Sequence, residues 1–318
     1  MNKQILKSLV FTTLLAFFTG SMNAQDTPEI DAKEQSNWKL ESIYSLNVTQ
    51  SSFTNWSAGG RNNISGLAFI NAFAEWSKDD LKWSNYLTAG LGGIKYFDSP
   101  LEKTDDVLDV QSTFSYGLKD PWYLSLLGGF KTQFVEGFAN PGDSLFASKF
   151  MSPGYVNVSL GIEYIPNDNL KIMLSPLSGK FTIVQNQRLA DAGAFGVEPA
   201  EYNALGDVVT PGKNFRAEMG AYFRFIYKKE ILKNINLRSR LELFTNYLEE
   251  PKNIDVNAEV IFDFKINKWF SAMLHFNLIY DDDIMITDRH GNVGPRTQFK
   301  QVLGVGISYR MANFQEKE

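Results

Sequence analysis

The sequence predicts an all-β protein, an antiparallel transmembrane β-barrel of about twelve strands. Three observations predict it. Segments with apolar residues at every second position follow one another along most of the chain without a helical period between them. Aromatic residues make up 14% of the chain, as expected of a lipid-facing wall with aromatic girdles. The connections alternate between short and longer ones, which is typical of barrels with short periplasmic turns and longer extracellular loops.

The N-terminal segment predicts export from the cytoplasm. Lys3 and Lys7 precede the apolar run Leu9–Phe18, and small and polar residues follow up to Ala24. This order of a basic, an apolar and a small-residue region indicates a secretory signal peptide over residues 1–24. The mature chain is therefore expected outside the cytoplasm.

The remaining chain is predicted to form one domain. No linker rich in Pro, Gly and Ser and no shift in composition divides it, so residues 38–314 are assigned to one outer-membrane barrel. Residues 25–37 are expected to be a periplasmic lead-in, and residues 315–318 a polar tail. The chain has no cysteine, which excludes disulfides and cysteine-ligated metals. No later segment reaches the roughly 18 apolar residues of a membrane helix, so a membrane location requires a closed barrel.

The first five predicted strands differ in how clearly they alternate. The second, over residues 64–76, has bulky apolar residues at both parities, so the side that faces lipid stays open. The other four place apolar side chains on one face: Leu40, Tyr44 and Leu46 in the first (38–49), Trp83, Leu87 and Leu91 in the third (81–97), Leu108, Val110 and Phe114 in the fourth (106–116), and Leu124, Leu126 and Phe130 in the fifth (122–138).

The later strands alternate well, with one interruption. Pro176 and Gly179 interrupt the seventh strand, over residues 170–184, and predict a bulge or kink there. The other spans are 155–165 with Val156, Val158 and Leu160; 215–227 with Phe215, Met219 and Phe223; 235–247 with Leu237, Leu241 and Leu243; 254–266 with Val256, Val260 and Phe262; 270–280; and 298–311.

Connection lengths predict the orientation. Links after the second, fourth, sixth, eighth and tenth strands are short, and those after the first, third, fifth, seventh and eleventh are longer. The ninth, near 249–253, is short. With an even number of strands, both termini then lie in the periplasm. We therefore expect the protein in the cell outer membrane, with outer-membrane lipid around its wall.

If the apolar faces meet lipid, the polar faces line the lumen. Two interpretations stay open: a charged constriction that selects solutes, or ion pairs that fill the lumen. Twelve strands lie between small filled barrels and wide porins, so strand number does not decide between them. The lumen-lining candidates are Arg216, Glu218, Arg224, Arg238, Arg240, Glu242, Asp255, Glu259, Asp263 and His275.

The first loop carries a second group of candidates. Paired glycines permit positive φ, and a Trp beside an Arg can stack on a polar ligand. The alternative is a loop that folds back and packs on the barrel mouth. The residues of this mouth-loop motif are Asn55, Trp56, Gly59, Gly60, Arg61 and Asn62.

Three motifs carry a family resemblance. The runs Asn55–Ser65, Ser175–Lys180 and Leu189–Val197 read NWSAGGRNNIS, SPLSGK and LADAGAFGV. Together they resemble an uncharacterised family of outer-membrane barrels, a domain of unknown function typical of Bacteroidota. The resemblance implies the fold and the location, and it transfers no activity because the function of the family is unassigned.

The chain has only two histidines, which limits acid–base catalysis. His275 is on the polar parity of the eleventh strand. His290 is near Asp281, Asp283 and Asp288, and these four residues are candidates for binding a divalent cation or activating water. An acidic, solvated loop is the alternative interpretation. No catalytic residue, metal site or cofactor is assigned.

The sequence favours a non-enzymatic, porin-like outer-membrane barrel. It is expected to be either a narrow channel for small polar solutes or a scaffold for other envelope proteins, and it could form a homo-oligomer. No feature indicates nucleic-acid binding. The alternative is a surface hydrolase, a protease or lipase, that uses His290 or His275.

Overall fold

The computed structural model describes residues 37–54, 60–288 and 290–313. Several predicted features lie outside these residues. They are the signal peptide (1–24), the lead-in up to residue 36, the mouth-loop residues 55–59, which include Asn55, Trp56 and Gly59, and the tail (315–318).

Twelve antiparallel strands form a closed barrel, in which each strand pairs with its neighbours in sequence and the last pairs with the first. This confirms the predicted fold class. The strands are β1 (Trp38–Ser51), β2 (Asn63–Lys78), β3 (Leu81–Tyr96), β4 (Leu101–Lys119), β5 (Trp122–Thr132), β6 (Gly154–Asn167), β7 (Leu170–Ile183), β8 (Phe215–Leu232), β9 (Ile235–Asn246), β10 (Asp255–Lys265), β11 (Phe270–Tyr280) and β12 (Gln298–Ala312).

The alternation turns apolar side chains outward. In β6, Leu160 and Ile162 are 41% and 38% exposed, whereas Glu163, on the other face of the same strand, is 2% exposed. A soluble barrel would bury the first two and expose the third. Because closure pairs the strand edges, this wall can stand in lipid without unsatisfied backbone groups. Among the described residues, no helix is long and apolar enough to cross a bilayer.

The facing of β2 follows from the packing inside the barrel. Ile64 and Ile70 point outward and are 36% and 38% exposed, while Phe69 and Glu75 are buried inside. Bulky apolar residues occur at both parities because this strand supplies Leu67 and Phe69 to an apolar cluster within the lumen. Strict alternation of apolar and polar residues is expected only where the interior face of a strand is entirely polar, and the interior face of β2 is partly apolar.

Strand β4 begins earlier than the sequence predicts, at Leu101 rather than at residue 106. The link between β3 and β4 is therefore only 97–100, and the expectation of a longer link there is wrong. The added residues are mostly polar, so they carry no apolar alternation. Their strand geometry comes from pairing with β3 across a bulge at Gly92 and Gly93.

Strand β5 ends at Thr132, before the predicted end at residue 138. The apolar period continues through Phe134, but side chains draw the backbone out of the sheet. The carboxylate of Asp106 accepts hydrogen bonds from the N–H groups of Phe134 and Val135, at 2.7 and 3.0 Å. The hydroxyl of Thr132 donates to the Pro153 carbonyl at 2.8 Å. Side-chain capping ended this strand where hydrophobicity alone predicted its continuation.

The bulge predicted in β7 is confirmed at Pro176. Lys171, Met173 and Ser175 are on the inward parity before it. The bulge inserts one extra residue, so Ser178 and Lys180, at even positions, also point inward. Without it, the strand alternation would turn Lys180 toward lipid. Pro176 therefore determines which side of the wall receives this charge.

The side of the barrel opposite the termini carries the longer loops. The two longest, 133–153 and 184–214, fold against each other. The second contains the short helix α1 (Gln187–Asp191), whose first turn is capped by Asn186. Val184, Leu189, Ala190 and Val197 form a buried cluster, and Phe146 of the other loop packs against it. The LADAGAFGV motif is thus the core of an ordered outer cap.

Candidate functional site

The centre of the lumen is built around Arg224 of β8, which is 1% exposed. One terminal nitrogen, Nη2, contacts the Glu163 carboxylate at 3.1 Å and the Thr113 hydroxyl at 3.2 Å. The other carboxylate oxygen of Glu163 accepts hydrogen bonds from Ser115 and Ser125, at 3.1 and 3.0 Å. Strands β4, β5, β6 and β8 are held together by this one buried pair.

Further ion pairs join strands that are not neighbours in the wall. Arg240 of β9 contacts Asp109 of β4 at 2.9 Å, and it also contacts Glu259 at 3.3 Å. Lys171 of β7 contacts Glu75 of β2 at 2.7 Å. The Arg240–Asp109 and Lys171–Glu75 pairs each link strands that lie several positions apart around the barrel, so these side chains cross the lumen.

Apolar side chains fill the space beside the ion pairs. One buried cluster consists of Leu67, Phe69, Ile261 and Met273, and a second of Leu127, Met173, Tyr222 and Phe244. Phe69 is 2% exposed, and Leu127 and Met173 are completely buried. These apolar side chains therefore take up part of the lumen at this level.

The predicted lumen candidates all lie on the inward parity, at three heights. Arg238 pairs with Asp263 at 2.7 Å toward the periplasmic turns. The middle contains Arg224, Arg240, Glu242, Glu259 and His275, and the outer end contains Arg216, Glu218 and Asp255.

Sequence reasoning missed most of the partners of these residues. Asp109, for example, lies between the outward-facing Leu108 and Val110 of β4, so its parity already placed it inside. Parity alone could have identified the set, but not which acid meets which base. The missed partners include Asp109, Glu163 and Lys180, and the lumenal ion pairs of Glu41, Glu75, Asp105 and Lys171 were missed as well.

The two histidines lie in different environments, one buried in the lumen and one exposed in a loop. His275 is 3% exposed, its Nε2 lies 3.0 Å from a Glu259 oxygen, and its ring packs edge-on against Phe69. His290 is in an outer loop, where its backbone N–H donates to Asp288 at 2.8 Å. Neither is on the lipid-facing wall at the described positions, so the hydrolase alternative gains no support from them.

The four cation candidates are not brought together. Asp281 contacts Lys180 at 2.9 Å, Asp283 contacts Arg216 at 2.7 Å, and Asp288 contacts Arg296 at 2.8 Å. Hydrogen bonds from the backbone and side chain of Asn292 hold the pKa of Asp288 below its ordinary value. Over residues 37–54, 60–288 and 290–313, no group of three or more ligating side chains has the geometry to hold a metal ion.

The described part of the mouth loop folds back on the barrel. Arg61 forms an ion pair with Asp98 at 2.6 Å and lies 4.2 Å from the centre of the Tyr96 ring. The Asn62 side chain accepts a hydrogen bond from the Phe53 N–H at 2.6 Å. A Cβ at Gly60, whose φ is +138°, would lie 2.8 Å from the Phe53 ring. These contacts match the packing interpretation for residues 60–62.

An outer vestibule opens above the filled lumen. It is a cavity of about 450 Å³ between the outer ends of β8, β9 and β10 and the loops that follow β9 and β11. Arg216 and Lys180 lie at its edge through ion pairs with its acids. The lining residues are Glu218, Asn246, Glu249, Glu250, Asn253, Asp255, Asp282, Asp283 and Met285.

The closed barrel, its outward apolar wall and its polar interior define an outer-membrane β-barrel protein. The family described as a protein of unknown function (DUF3078) matches residues 48–138, which is less than half of the chain. The match includes the NWSAGG motif but not the other two motifs. A search of curated proteins finds no match.

Solved outer-membrane barrels align with most of the chain at low similarity. An outer-membrane channel from Pseudomonas putida F1 has 12% identity and a TM-score of 0.37, covering 90% of this chain and 99% of its own. The translocator domain of the autotransporter NalP from Neisseria meningitidis has 10% identity and a TM-score of 0.34, with coverages of 88% and 90%. The NanC porin has 8% identity and a TM-score of 0.33, with coverages of 84% and 98%. At these scores no functional argument follows, and the geometry of the barrel itself assigns the fold.

Proposed function

We propose that the protein is a non-enzymatic outer-membrane scaffold, a barrel with an occluded lumen that presents its ordered outer loops to other envelope proteins. One observation carries the proposal: ion pairs and apolar clusters cross the lumen at the same level. The Arg240–Asp109 pair crosses the lumen beside the cluster around Phe69; Asp109 and Phe69 are buried, and Arg240 is mostly buried.

The occlusion has an energetic basis. Separating a buried ion pair leaves an uncompensated charge in a poorly solvated site, at a cost of roughly 3–5 kcal/mol. Opening a water path would require several pairs, such as Lys171–Glu75 and Arg224–Glu163, to separate together. Their charges therefore act first as structural ties between strands.

The outer cap supplies the surface for a scaffold. Its two long loops are held by the backbone bond from Gln185 to the Met151 carbonyl at 2.8 Å and by a bond from the Asn186 N–H to Ser152 at 2.9 Å. Ordered loops on a rigid barrel can bind a partner at little conformational cost. Leu205 in this cap is 87% exposed.

Conductance in planar bilayers tests the occlusion. The wild-type protein is expected to give no stepped conductance, whereas combining Phe69→Ala with Arg240→Ala removes one lumenal ring and one cross-lumen tie and should produce conducting steps. Leu91→Ala is the matched control, because Leu91 is on the outward wall and 44% exposed. Stepped conductance from the wild-type protein would contradict the occluded state.

Site-specific photo-crosslinking in intact cells tests the scaffold role. A crosslinker at Leu205 in the outer cap should give a discrete product with another envelope protein, and one at Lys233, in a periplasmic turn, should not. If neither Leu205 nor the exposed Leu145 gives a product, the scaffold proposal is wrong.

A narrow channel for small polar solutes is the second candidate. The acidic vestibule directly above a charged lumen favours it, since such a mouth concentrates cations. This candidate predicts cation-selective conductance from the wild-type barrel that changes when Arg238 or Arg240 is neutralised. The same bilayer recordings therefore distinguish the two candidates.

A further inference from the structure

The barrel closes unevenly between its first and last strands. Residues 41–47 of β1 pair with residues 306–312 of β12, at the end of the barrel that carries the termini. Beyond this part, no register pair joins residues 48–51 of β1 to β12, although β1 pairs with β2 along its whole length. Residues 298–305 of β12 pair with β11 and, among the described residues, with no second strand. We call residues 298–305 the free edge of β12.

The free edge lies in the apolar wall and presents unpaired backbone groups there. A strand with a neighbour on one side only leaves a row of N–H and C=O groups without partners on the other side. The outward side chains of Phe299, Leu303 and Val305 are each more than half exposed, as on the rest of the lipid-facing wall. Lipid chains cannot hydrogen-bond to the backbone, so an unpaired edge is costly at this position.

The free edge lacks the features that usually protect an exposed strand edge. Proline, outward charges and bulges block the addition of a further strand. The free edge reads QFKQVLGV and contains no proline, and its one charged side chain, that of Lys300, contacts Asp105 inside the barrel at 3.1 Å. Its pairing with β11 continues without a register shift. The backbone of the free edge is therefore open to another strand.

The point where β1 and β12 separate holds an unsatisfied donor. Asn47 is the last residue of β1 that pairs with β12. Its side chain lies beside Gly304, where an added Cβ would be 3.0 Å from the side-chain amide. The Nδ2 atom of Asn47 is buried and has no hydrogen-bond partner in the part of the chain that the structure describes. A buried donor without an acceptor is costly, and a carbonyl of an added strand supplies an acceptor.

The side chains behind the free edge favour a polypeptide over a lipid as its occupant. Val302 packs against the cluster that includes Phe69, and Lys300 reaches Asp105 on β4. An acyl chain that entered the seam would meet these side chains and would leave the backbone groups unpaired. An extended polypeptide provides backbone hydrogen bonds and, at every second residue, an apolar side chain for the lipid-facing side.

We propose that the free edge of β12 binds an extended segment of another polypeptide by strand addition. The segment runs antiparallel to β12, in the position that β1 leaves beyond Asn47. Its apolar side chains face lipid beside Leu303, and its small or polar side chains face inward beside Gly304. The interaction uses the wall of the barrel, so it does not depend on whether the outer cap binds a protein or on whether the lumen conducts.

Engineered cysteine pairs test whether the seam is open in a lipid bilayer, and the chain has no native cysteine to interfere. Continuing the register beyond Asn47 would place Gln50 opposite Leu303. Under mild oxidation, Gln50→Cys with Leu303→Cys should form at least fivefold less disulfide than the matched control, Leu46→Cys with Ile307→Cys, which lies within the paired part. Equal cross-linking of the two pairs would show that β1 closes the seam, and the proposal would be wrong.

Photo-crosslinking to a synthetic peptide tests the strand addition. The probe is a biotinylated peptide with the sequence of residues 41–51, ESIYSLNVTQS, the part of β1 that contains its pairing with β12. In lipid bilayers, a photoreactive residue in place of Leu303 should give at least tenfold more peptide product than one in place of Leu126. Leu126 is the matched control, because it is an exposed outward residue of β5 that pairs with strands on both sides. N-methylation at alternate residues of the probe removes backbone donors along one edge and should abolish the product.

Further measurements make each outcome decisive. Heat-dependent mobility in SDS gels shows which variants fold, and a photoreactive residue in place of Val305 provides a second position on the same face. The proposal is overturned if neither folded variant gives a peptide product, or if the N-methylated probe reacts equally well. It is also overturned if the product joins two copies of the barrel instead, because the free edge would then be a self-association surface.

Discussion

The middle of the lumen and the outer vestibule use the same residue types in opposite ways. In the middle, Arg224 and Glu163 are 1% and 2% exposed and form a hydrogen-bonded pair at 3.1 Å within a set of hydroxyl groups. In the vestibule, Glu218 is 5% exposed, and its nearest bases, Arg216 and Lys180, lie 3.5 and 3.7 Å away. Both regions lie on the polar face of the same strand, β8. Parity therefore decides that a charge lies inside, and its neighbours decide whether it is structural or available.

The difference has a consequence for function. Charges that are paired and desolvated hold strands together and resist opening, whereas carboxylates beside an open cavity keep part of their solvation. The first arrangement supports a closed barrel, and the second leaves an acidic, accessible outer end. Lys180 belongs to both regions in part, since it lies inside the wall and contacts Asp255 and Asp281 at the floor of the vestibule.

The largest expected effect comes from breaking the central pair. Arg224→Met should leave Glu163 charged, buried and without its base, and lower the free energy of unfolding by about 3–5 kcal/mol. Urea-induced unfolding from lipid bilayers, followed by tryptophan fluorescence, measures the loss. Adding Glu163→Gln should restore most of the stability, because the unpaired charge is then removed.

Arg216→Met is the matched change in the vestibule. Its carboxylate partners Glu249 and Asp283 retain contact with solvent, and the buried Glu218 keeps Lys180 at 3.7 Å, so the expected loss is smaller than for Arg224→Met. Equal losses for Arg224→Met and Arg216→Met would show that the two regions do not differ in the way their burial indicates.

The sequence predicted the wall of this barrel better than its interior. The alternation that places Leu124 and Leu126 on the outer face of β5 is a local property of the sequence, so the number of strands and the face of each could be predicted from it. The partner of Arg240 could not be predicted in this way, because Asp109 is on the far side of the lumen and far away in sequence. Strand ends were missed where capping decided them, as at Thr132, and the vestibule depends on three strands and two loops meeting in space.

A smaller loss of stability is expected from a substitution opposite the bulge in β7. A Cβ at Gly161, opposite the bulge, would lie 2.3 Å from the Leu174 carbonyl oxygen, so Gly161→Ala must shift the backbone of β7. We expect a loss of about 1–3 kcal/mol in the free energy of unfolding.

Gly128→Ala is the control for this change. Gly128 is a strand glycine of β5 with no atom within 4 Å of an added Cβ, so the substitution should be neutral or slightly stabilising. A similar loss in both variants would mean that glycine content, not the bulge, accounts for the effect.

The smallest effect is a pH dependence with opposite signs at two loop aspartates. Burial raises the pKa of folded Asp283, so the folded state binds a proton more readily than the unfolded chain. The resulting stabilisation is complete below the unfolded pKa of about 3.9 and is lost as the pH rises through the raised folded pKa. Asp283→Asn should therefore gain stability relative to the wild-type barrel as the pH rises above the unfolded pKa, by less than about 1 kcal/mol after solvent screening.

Asp288 should behave in the reverse way. Hydrogen bonds from Asn292 lower its folded pKa, so its contribution is present above the unfolded pKa and is lost as the pH falls through the folded value. Asp288→Asn should then lose stability relative to the wild-type barrel at neutral pH, and the difference should shrink in acid. Urea unfolding at several pH values measures both trends. If the two variants followed the same trend, burial would not raise the pKa of folded Asp283, and the contrast between the vestibule and its surroundings would fail at this position.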